Sequence, residues 1–237
     1  MPDHNQLSIG LVLFPDLTLL DLAGPFEVLA RLPGARLYLL APGLEPVRSD
    51  RGLVVMPDTR FEDAPGLDVL FVPGGPGQVG VMEDARYLDF LRAKAKEARY
   101  VTSVCTGSLV LGAAGLLRGY RATTHWRYLD LLALLGAQPV AERVVSDGNC
   151  VTAAGVSAGI DLGLALAAQI AGAEVARKIQ LMIEYDPQPL FSSGSPASAD
   201  PALTSSVSAS LNGLYEQRRA QIERMAATSS YLRTGGG

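Results

Sequence analysis

The feature that most constrains the fold is a series of short, almost continuously apolar segments, each followed by apolar residues at helical spacing. Leu7–Phe14 (LSIGLVLF) is the first such segment, and a run of this kind is typical of a strand buried on both faces of a parallel sheet. Leu19–Leu32 follows with helical spacing, and Pro25 suits a first helical turn. The sequence therefore predicts that a strand–helix unit opens the chain.

The same alternation continues through the first half of the chain. Further strands and helices are predicted in turn at Arg36–Ala41, Asp68–Val72, Ala85–Ala98, Tyr100–Val104 and Leu109–Leu117. Since strands that alternate with helices form parallel sheets covered by those helices, we expect an α/β fold with a mostly parallel central sheet. A hairpin is predicted at Val47–Asp58, where Asp50-Arg51-Gly52 is flanked by apolar positions.

The second half of the chain is predicted to complete the same domain. We expect a strand at Arg121–Thr124, a helix at Trp126–Leu135, paired strands around Asp147-Gly148-Asn149, and helices at Ser157–Ala171, Ala173–Glu184 and Leu211–Ala227. Asp186–Ser210 is rich in Ser, Pro and Ala and is predicted to be irregular. Residues 1–190 should form one α/β domain, and residues 191–237 an extension whose surface loop and helix pack on it.

Composition excludes several classes of function. Hydrophobic residues make up 48% of the chain and the net charge is -4, so the sequence predicts a globular protein that binds neither nucleic acid nor anionic membrane. Its two cysteines match no zinc motif and suit an intracellular protein. The polar N-terminus lacks the pattern of a signal peptide, which predicts a cytoplasmic location.

Cys105 is the strongest candidate for a reactive residue. It lies in Ser103–Gly107 (SVCTG), between an apolar strand and a helical run, and S-x-C-x-G resembles the turn that projects the nucleophile of G-x-S-x-G enzymes. A thiol at this point faces free N–H groups and the positive end of a helix dipole, which favour the thiolate. An inert buried cysteine is the alternative. Cys150 has no helix after it and is predicted to pack in the core.

A glycine-rich segment, PGGPGQVG, follows the strand predicted at Asp68–Val72 and contains a literal G-x-G-x-x-G at Gly75, Gly77 and Gly80. A dinucleotide site is disfavoured because Pro76 lacks an N–H, the strand is not the first of the sheet, and no helix is predicted to start inside the motif. We expect instead that the backbone approaches a ligand here, with Gly75 giving an N–H to an oxyanion. A loop that uses its glycines only for turning is the alternative.

Two further side chains carry functional hypotheses with open alternatives. Asp21 is the only charged residue of Leu17–Pro25 and is either a helix N-cap or a desolvated acid that exchanges protons with a substrate or a thiol. His125 ends a short predicted strand and either assists Cys105 or is a satisfied, partly buried histidine.

Five segments together carry a family resemblance: LDLAGP, PGG, SVCTGS, ATTHW and GVSAGID. With them the sequence resembles the DJ-1/PfpI superfamily over most of its length. Within that superfamily, Asp21, Cys105 followed by Thr106, and the stretch EYDPQPLFSSGSP are most similar to the isocyanide hydratases.

The resemblance implies a homodimer of flavodoxin-like subunits, each a three-layer sandwich, with no cofactor and no metal. It implies that Cys105 is the nucleophile, that Asp21 is its acid partner and that Thr106 lies beside it. The implied reaction is hydration of an isocyanide to an N-formamide through a covalent thioimidate. Backbone N–H groups near Gly74, Gly75 and Thr106 would orient polar atoms.

Two other functions remain open at the level of sequence. The same fold forms the ligand-sensing half of transcription regulators that share ATTHW-like segments. Such a regulator needs an appended DNA-binding domain, for which the ten residues after Ala227 are too few. A glyoxalase-like stress enzyme of the same superfamily is the other alternative, and Asp21 and Thr106 count against it.

Overall fold

The computed structural model describes residues 6–228; His4 and the glycine-ended tail lie outside this range. The strands are β1 Leu7–Val12, β2 Ala35–Ala41, β3 Val47–Arg48, β4 Val54–Val55, β5 Thr59–Arg60, β6 Val69–Val72, β7 Tyr100–Val104, β8 Arg121–Ala122, β9 Gln138–Pro139, β10 Val144–Asp147 and β11 Cys150–Ala153. The α-helices are α1 Leu19–Leu29, α2 Gln78–Val81, α3 Ala85–Ala95, α4 Gly107–Ala113, α5 Leu131–Leu134, α6 Ala158–Ala171, α7 Ala173–Met182, α8 Pro201–Ser210 and α9 Asn212–Thr228. Single 3₁₀ turns lie at Phe61–Asp63 and Trp126–Tyr128.

Seven strands form the central sheet, in the order β10-β11-β7-β6-β1-β2-β5. All neighbours in it pair in parallel except β10 and β11, which are antiparallel. The predicted parallel α/β fold is therefore confirmed. The predicted hairpin is also present, as the small antiparallel sheet of β3 and β4, and the predicted pair of strands around Asp147-Gly148-Asn149 is β10 and β11.

The strand order places helices on both faces of the sheet. In the strand order, the connection from β1 to β2 runs toward one edge of the sheet, whereas the connection from β6 to β7 runs toward the opposite edge. Because both crossovers of such units are right-handed, α1 and α3 lie on opposite faces. Helix α1 packs against α6, and α3 packs against α4. The four core strands β1, β6, β7 and β11 are almost wholly buried, which explains why apolar residues predominate in their sequences.

The helix predicted at Trp126–Leu135 is wrong as one element. The chain forms a 3₁₀ turn at Trp126–Tyr128 and then the separate short helix α5. His125 caps the start of the 3₁₀ turn, where its Nδ1 accepts the N–H of Arg127, and its ring packs against the rings of Trp126 and Tyr128. The strand predicted at Arg121–Thr124 is also shorter, since only Arg121–Ala122 pairs, with β9.

The prediction that Asp186–Ser210 is irregular is wrong for its second half, which is helix α8. Asp200 caps this helix by accepting the N–H groups of Ala202 and Leu203, and Pro201 occupies its first turn. These are standard helix-start signals that outweigh a Ser-rich composition. Helix α9 follows and packs against α5, with Ile222 fully buried.

Helices α1 and α6 approach closely because small residues lie between them. A Cβ added to Gly163 of α6 would stand 2.9 Å from Cβ and 3.1 Å from Cγ1 of Val28 in α1. Such a contact is shorter than carbon atoms tolerate in a packed core, so a methyl group there forces the helices apart. Since α1 carries Asp21, this packing also fixes the height of that carboxyl above the sheet.

We expect Gly163→Ala to lower the free energy of unfolding by about 1–3 kcal/mol, because overpacking outweighs the gain in helix propensity. Gly213→Ala is the matched control, since Gly213 is also helical, is exposed, and would have no atom within 4 Å of the new Cβ. Urea denaturation of both variants measures the difference. Equal stability of the two variants would show that the α1–α6 contact is not close-packed.

Candidate active site

The candidate site lies at the carboxyl ends of three adjacent strands of the central sheet. Asp21 follows β1, Gly74 follows β6 and Cys105 follows β7. Because the crossovers diverge between β1 and β6, this edge is the switch point at which open α/β sheets bind ligands. The topology therefore gathers residues that are 84 positions apart in the chain, from Asp21 to Cys105.

The backbone turns sharply at Cys105, between β7 and α4. Cys105 has φ 54°, a left-handed conformation that is uncommon for a residue with a side chain. Its N–H donates to the carbonyls of Ala154 at 2.8 Å and Ala153 at 3.1 Å, and its carbonyl accepts the hydroxyl of Thr124 at 2.6 Å. Bonds to both sides of the peptide hold the strained residue in place, as is common at functional sites.

The carboxyl of Asp21 is completely buried in the first turn of α1. Thr18 is the N-cap of that helix, so the N-cap interpretation of Asp21 is wrong. Its Oδ2 accepts the N–H of Gly74 at 2.9 Å, whereas its Oδ1 has no hydrogen-bond partner of normal geometry within residues 6–228. A buried carboxylate oxygen without a partner is costly, which marks this group as one placed for chemistry.

Thr106 joins the glycine loop to the cysteine turn. The N–H of Gly75 donates to Thr106 Oγ1 at 3.0 Å, and that hydroxyl lies 3.2 Å from the carbonyl of Gly75. A Cβ on Gly74 would lie 2.6 Å from the N of Thr106 and 2.7 Å from Asp21 Oδ2, so only glycine fits between them. The N–H groups of Gly74 and Gly75 thus already have acceptors in the protein, and they fix Asp21 and Thr106.

The glycine loop differs from its predicted form in one respect. Helix α2 begins at Gln78, inside the G-x-G-x-x-G pattern, although no helix was expected there. It is only four residues long and follows Gly77, which offers no side-chain cap. Because the N–H groups of Gly74 and Gly75 are bonded to Asp21 and Thr106, the loop does not present the open N–H cradle of a phosphate site.

Burial sets the proton affinity of the two reactive groups. Loss of hydration raises the pKa of Asp21 to about 7, although the N–H of Gly74 and the thiol of Cys105 both act to lower it. Burial also raises the pKa of the Cys105 thiol, and the nearby Asp21 carboxyl raises it further. The N–H of Thr106 and the charge of Arg218 oppose these effects. The expected gain in thiolate from the helix N-terminus is therefore outweighed by burial, and the pair retains a proton near neutral pH.

His125 lies near the site but is bonded elsewhere. Its Nδ1 accepts the N–H of Arg127, and burial, aided by the charge of Arg218, lowers its pKa to about 4. A ring with so low a pKa binds a proton weakly. His125 therefore fits the interpretation of a satisfied, partly buried histidine better than that of a base that assists Cys105. The titratable groups that act on the thiol are Asp21 and Arg218 instead.

Three side chains near the thiol were not identified from sequence. Arg218 of α9 is 2% exposed, its Nε donates to the buried Gln78 Oε1, and its guanidinium lies 4.2 Å from the ring centre of Tyr128. The sequence contains a signal for this arrangement, because Arg218 occupies the centre of the stripe formed by Tyr215 and Ile222. An arginine in the middle of an apolar stripe indicates a buried charge.

The site is closed and carries no metal cluster within the described residues. Cys105 is 6% exposed and Asp21 is not exposed at all. Residues 6–228 contain no group of three or more His, Cys, Asp or Glu side chains arranged to hold a metal ion. No helix in that range is both long and apolar enough to span a bilayer. Cys150 is buried in β11 as a core residue, as predicted.

Comparisons with known proteins agree with this geometry. Residues 8–169 match the DJ-1/PfpI family. The chain is 56% identical to the isonitrile hydratase of Pseudomonas putida over 197 residues, 83% of this chain and 86% of that protein. A THiJ/PfpI family protein from Pseudomonas syringae has a crystal structure that matches with a TM-score of 0.90 and 40% identity, covering 94% of this chain and 97% of that one.

A second class of relatives consists of transcription regulators. The HTH-type transcriptional regulator GbdR of Pseudomonas aeruginosa is 35% identical over 196 residues, which are 78% of this chain. The match spans 52% of the regulator, so this chain corresponds to about half of its length.

The raised pKa of Asp21 predicts a pH-dependent stability. The unfolded chain releases this proton near the ordinary value of 3.8 and the folded chain near 7, so the native state binds more protons between these values and stability falls as pH rises. We expect the free energy of unfolding of Asp21→Asn, relative to wild type, to increase by about 2 kcal/mol from about pH 5 to about pH 8. Asp63→Asn, at an exposed position, is the control. A constant difference across this range would contradict the raised pKa.

Proposed function

The chain belongs to the DJ-1/PfpI family, and we propose that within this family it is an enzyme that hydrates isocyanides to N-formamides. The observation that carries this proposal is the 56% identity to an isonitrile hydratase, over 83% of this chain and 86% of that protein. Isonitrile and isocyanide are two names for the same group. The arrangement of Cys105, Asp21 and Thr106 supports the proposal because it supplies a nucleophile and a proton carrier side by side.

The first step is addition of Cys105 to the terminal carbon of R–N≡C. The turn at Cys105 acts as a nucleophile elbow, with φ 54° directing the thiol away from the strand. The thiol proton passes to Asp21, sulfur forms a bond to the terminal carbon, and Asp21 returns the proton to that same carbon. The product is the neutral thioimidate R–N=CH–S–Cys105, and Asp21 has the same charge as at the start.

The second step is hydrolysis of the thioimidate. Asp21, again as a carboxylate, removes a proton from water while the water oxygen attacks the carbon of the thioimidate. The nitrogen of the thioimidate gains a proton. The tetrahedral adduct R–NH–CH(OH)–S–Cys105 then expels the cysteine sulfur, which regains its proton, and leaves R–NH–CHO. The two steps together consume one isocyanide and one water.

The surroundings of Asp21 suit a carboxyl that both accepts and returns a proton. A pKa of about 7 divides it between its two forms near neutral pH, where proton transfer in either direction is cheapest. The Gly74 N–H holds Oδ2, and the Cys105 thiol interacts with the same carboxyl, which gives the proton a direct path between the two groups. The low exposure of the site keeps other nucleophiles away from the thioimidate.

We also propose that the protein is a homodimer in the cytoplasm. Large apolar side chains are exposed at the end of α7 and in the segment before α8, among them Leu181 at 82%, Leu190 at 87% and Phe191 at 72%, and a second copy of the chain would cover them. Both cysteines are free thiols, which suits a reducing compartment.

A ligand-sensing role is the second candidate, and the 35% identity to GbdR favours it. A sensor would bind a small molecule at the same switch point without consuming it. Incubation with a simple aryl isocyanide separates the two functions, because the enzyme releases one formamide after another, whereas a sensor yields no more than one product per chain.

Replacement of each cysteine in turn tests the nucleophile. We expect Cys105→Ala to lower the rate of formamide production by about 10³-fold or more, because the neighbouring hydroxyl of Thr106 is a far weaker nucleophile than a thiol. Cys150→Ala should leave the rate nearly unchanged, since Cys150 is a buried core residue of similar size and lies in β11. Absorbance and mass of the formamide measure both rates. Similar activity in the two variants would remove Cys105 from the mechanism.

A covalent route also predicts an adduct. After a rapid acid quench, the peptide that contains Cys105 should carry the added mass of the isocyanide, and Asp21→Asn should change how much accumulates. Accumulation in Asp21→Asn indicates that the carboxyl activates water, and slower adduct formation indicates that it delivers the first proton. Formamide production by wild type with no adduct at any quench time would refute the covalent route.

A further inference from the structure

Arg218 is an unusual residue for the place it occupies. It is 2% exposed, yet within residues 6–228 no ion pair joins it to a carboxylate. Its two contacts are to neutral groups, the amide of Gln78 and the ring of Tyr128. Burial of a cation without a paired carboxylate is unfavourable, so the arrangement calls for a negative charge close to the guanidinium.

The contacts of Arg218 connect it to the segments on either side of the cysteine turn. Gln78 begins the helix after the glycine loop whose N–H groups hold Asp21 and Thr106. Tyr128 lies on the other side, with its ring 5.5 Å from that of His125. His125 directly follows Thr124, the residue that binds the carbonyl of Cys105. Arg218 therefore bridges the two segments that flank the thiol.

Three groups act on the charge of Cys105, each from a different element. Asp21 on α1 disfavours the thiolate, whereas the N–H of Thr106 at the start of α4 and the guanidinium of Arg218 on α9 favour it. The pKa of Arg218 itself is lowered by burial and supported in part by Cys105, so the interaction acts in both directions. His125 faces the same guanidinium and is neutral at the working pH.

We propose that Arg218 is a positioning residue of the active site, whose buried guanidinium is the counter-charge of the Cys105 thiolate. This inference rests on the proposed function, because a thiolate forms when Asp21 takes the thiol proton and forms again when the thioimidate breaks down. In both moments Arg218 balances the negative charge on sulfur. The C-terminal extension thereby supplies a part of the charge environment of a nucleophile that lies 113 positions earlier in the chain.

A purely structural role predicts different behaviour. If Arg218 only fastens α9 to the domain, its loss lowers stability and lowers activity by the same factor at every pH. If it balances the thiolate, its loss also moves the ionisation of Cys105 to higher pH, and a lysine at this position largely restores it. The ionisation of the thiol therefore distinguishes the two roles.

The experiment measures the thiol directly, without any isocyanide. In a Cys150→Ala background, where Cys105 is the only cysteine, the rate of alkylation by iodoacetamide is followed against pH. We expect Arg218→Met to shift the midpoint upward by about one pH unit or more, and Arg218→Lys by less than half of that shift. Arg219→Met is the matched control, because Arg219 is the next residue of the same helix, is half-exposed and pairs with Glu223.

The outcomes are decisive in both directions. An unchanged midpoint in Arg218→Met, with thermal unfolding that shows the variant folded, overturns the proposal; so does an equal shift in Arg219→Met. If Arg218→Met does not fold, Arg218→Gln keeps a donor toward Gln78 and should give the same upward shift. Because the titration uses no substrate, a shift in a protein that fails to hydrate isocyanides would refute the proposed function and leave the charge pairing intact.

Discussion

The rest of the site depends on one constraint: an ionisable pair, Asp21 and Cys105, is buried where water cannot stabilise a charge. Loss of hydration raises the pKa of both groups, so the pair retains a proton and the site remains close to neutral. The surrounding contacts adjust this balance. The N–H of Gly74 steadies the carboxyl, the N–H of Thr106 and the guanidinium of Arg218 favour the thiolate, and the neutral His125 adds no charge.

This constraint explains why so much of the local structure is backbone. A side chain long enough to bind Asp21 would also fill the space needed by a substrate. The backbone N–H of Gly74 binds Asp21 without adding volume. The glycine is required because a Cβ would collide with both Asp21 and Thr106. Backbone groups also hold Cys105, because hydrogen bonds to strand β11 and to Thr124 stabilise its strained φ.

The extension after residue 190 contributes buried polar side chains to the surroundings of the active site, through α9. The sequence predicted a surface loop and a helix that pack on the domain, and in the structure α9 buries an arginine and a glutamine beside the active site. A helix that carries polar groups into the interior is fixed by their partners, here Gln78 and the backbone carbonyl of Val79. The extension is therefore joined to the same loop that positions Asp21.

Sequence alone predicted the parallel α/β fold and singled out Cys105, because both depend on short-range patterns: apolar strands, helical spacing after them, and S-x-C-x-G at a strand end. It also singled out Asp21, since a lone carboxyl in an apolar stretch is visible without a structure. Tertiary structure decided the rest. Only the meeting of β1, β6 and β7 at one edge showed that Gly74 bonds Asp21 and that Gly75 bonds Thr106 rather than presenting a free N–H. Only the packing of α9 brought Arg218 to the thiol: its place in an apolar stripe indicates that Arg218 is buried, but a contact across 113 residues depends on the path of the whole chain.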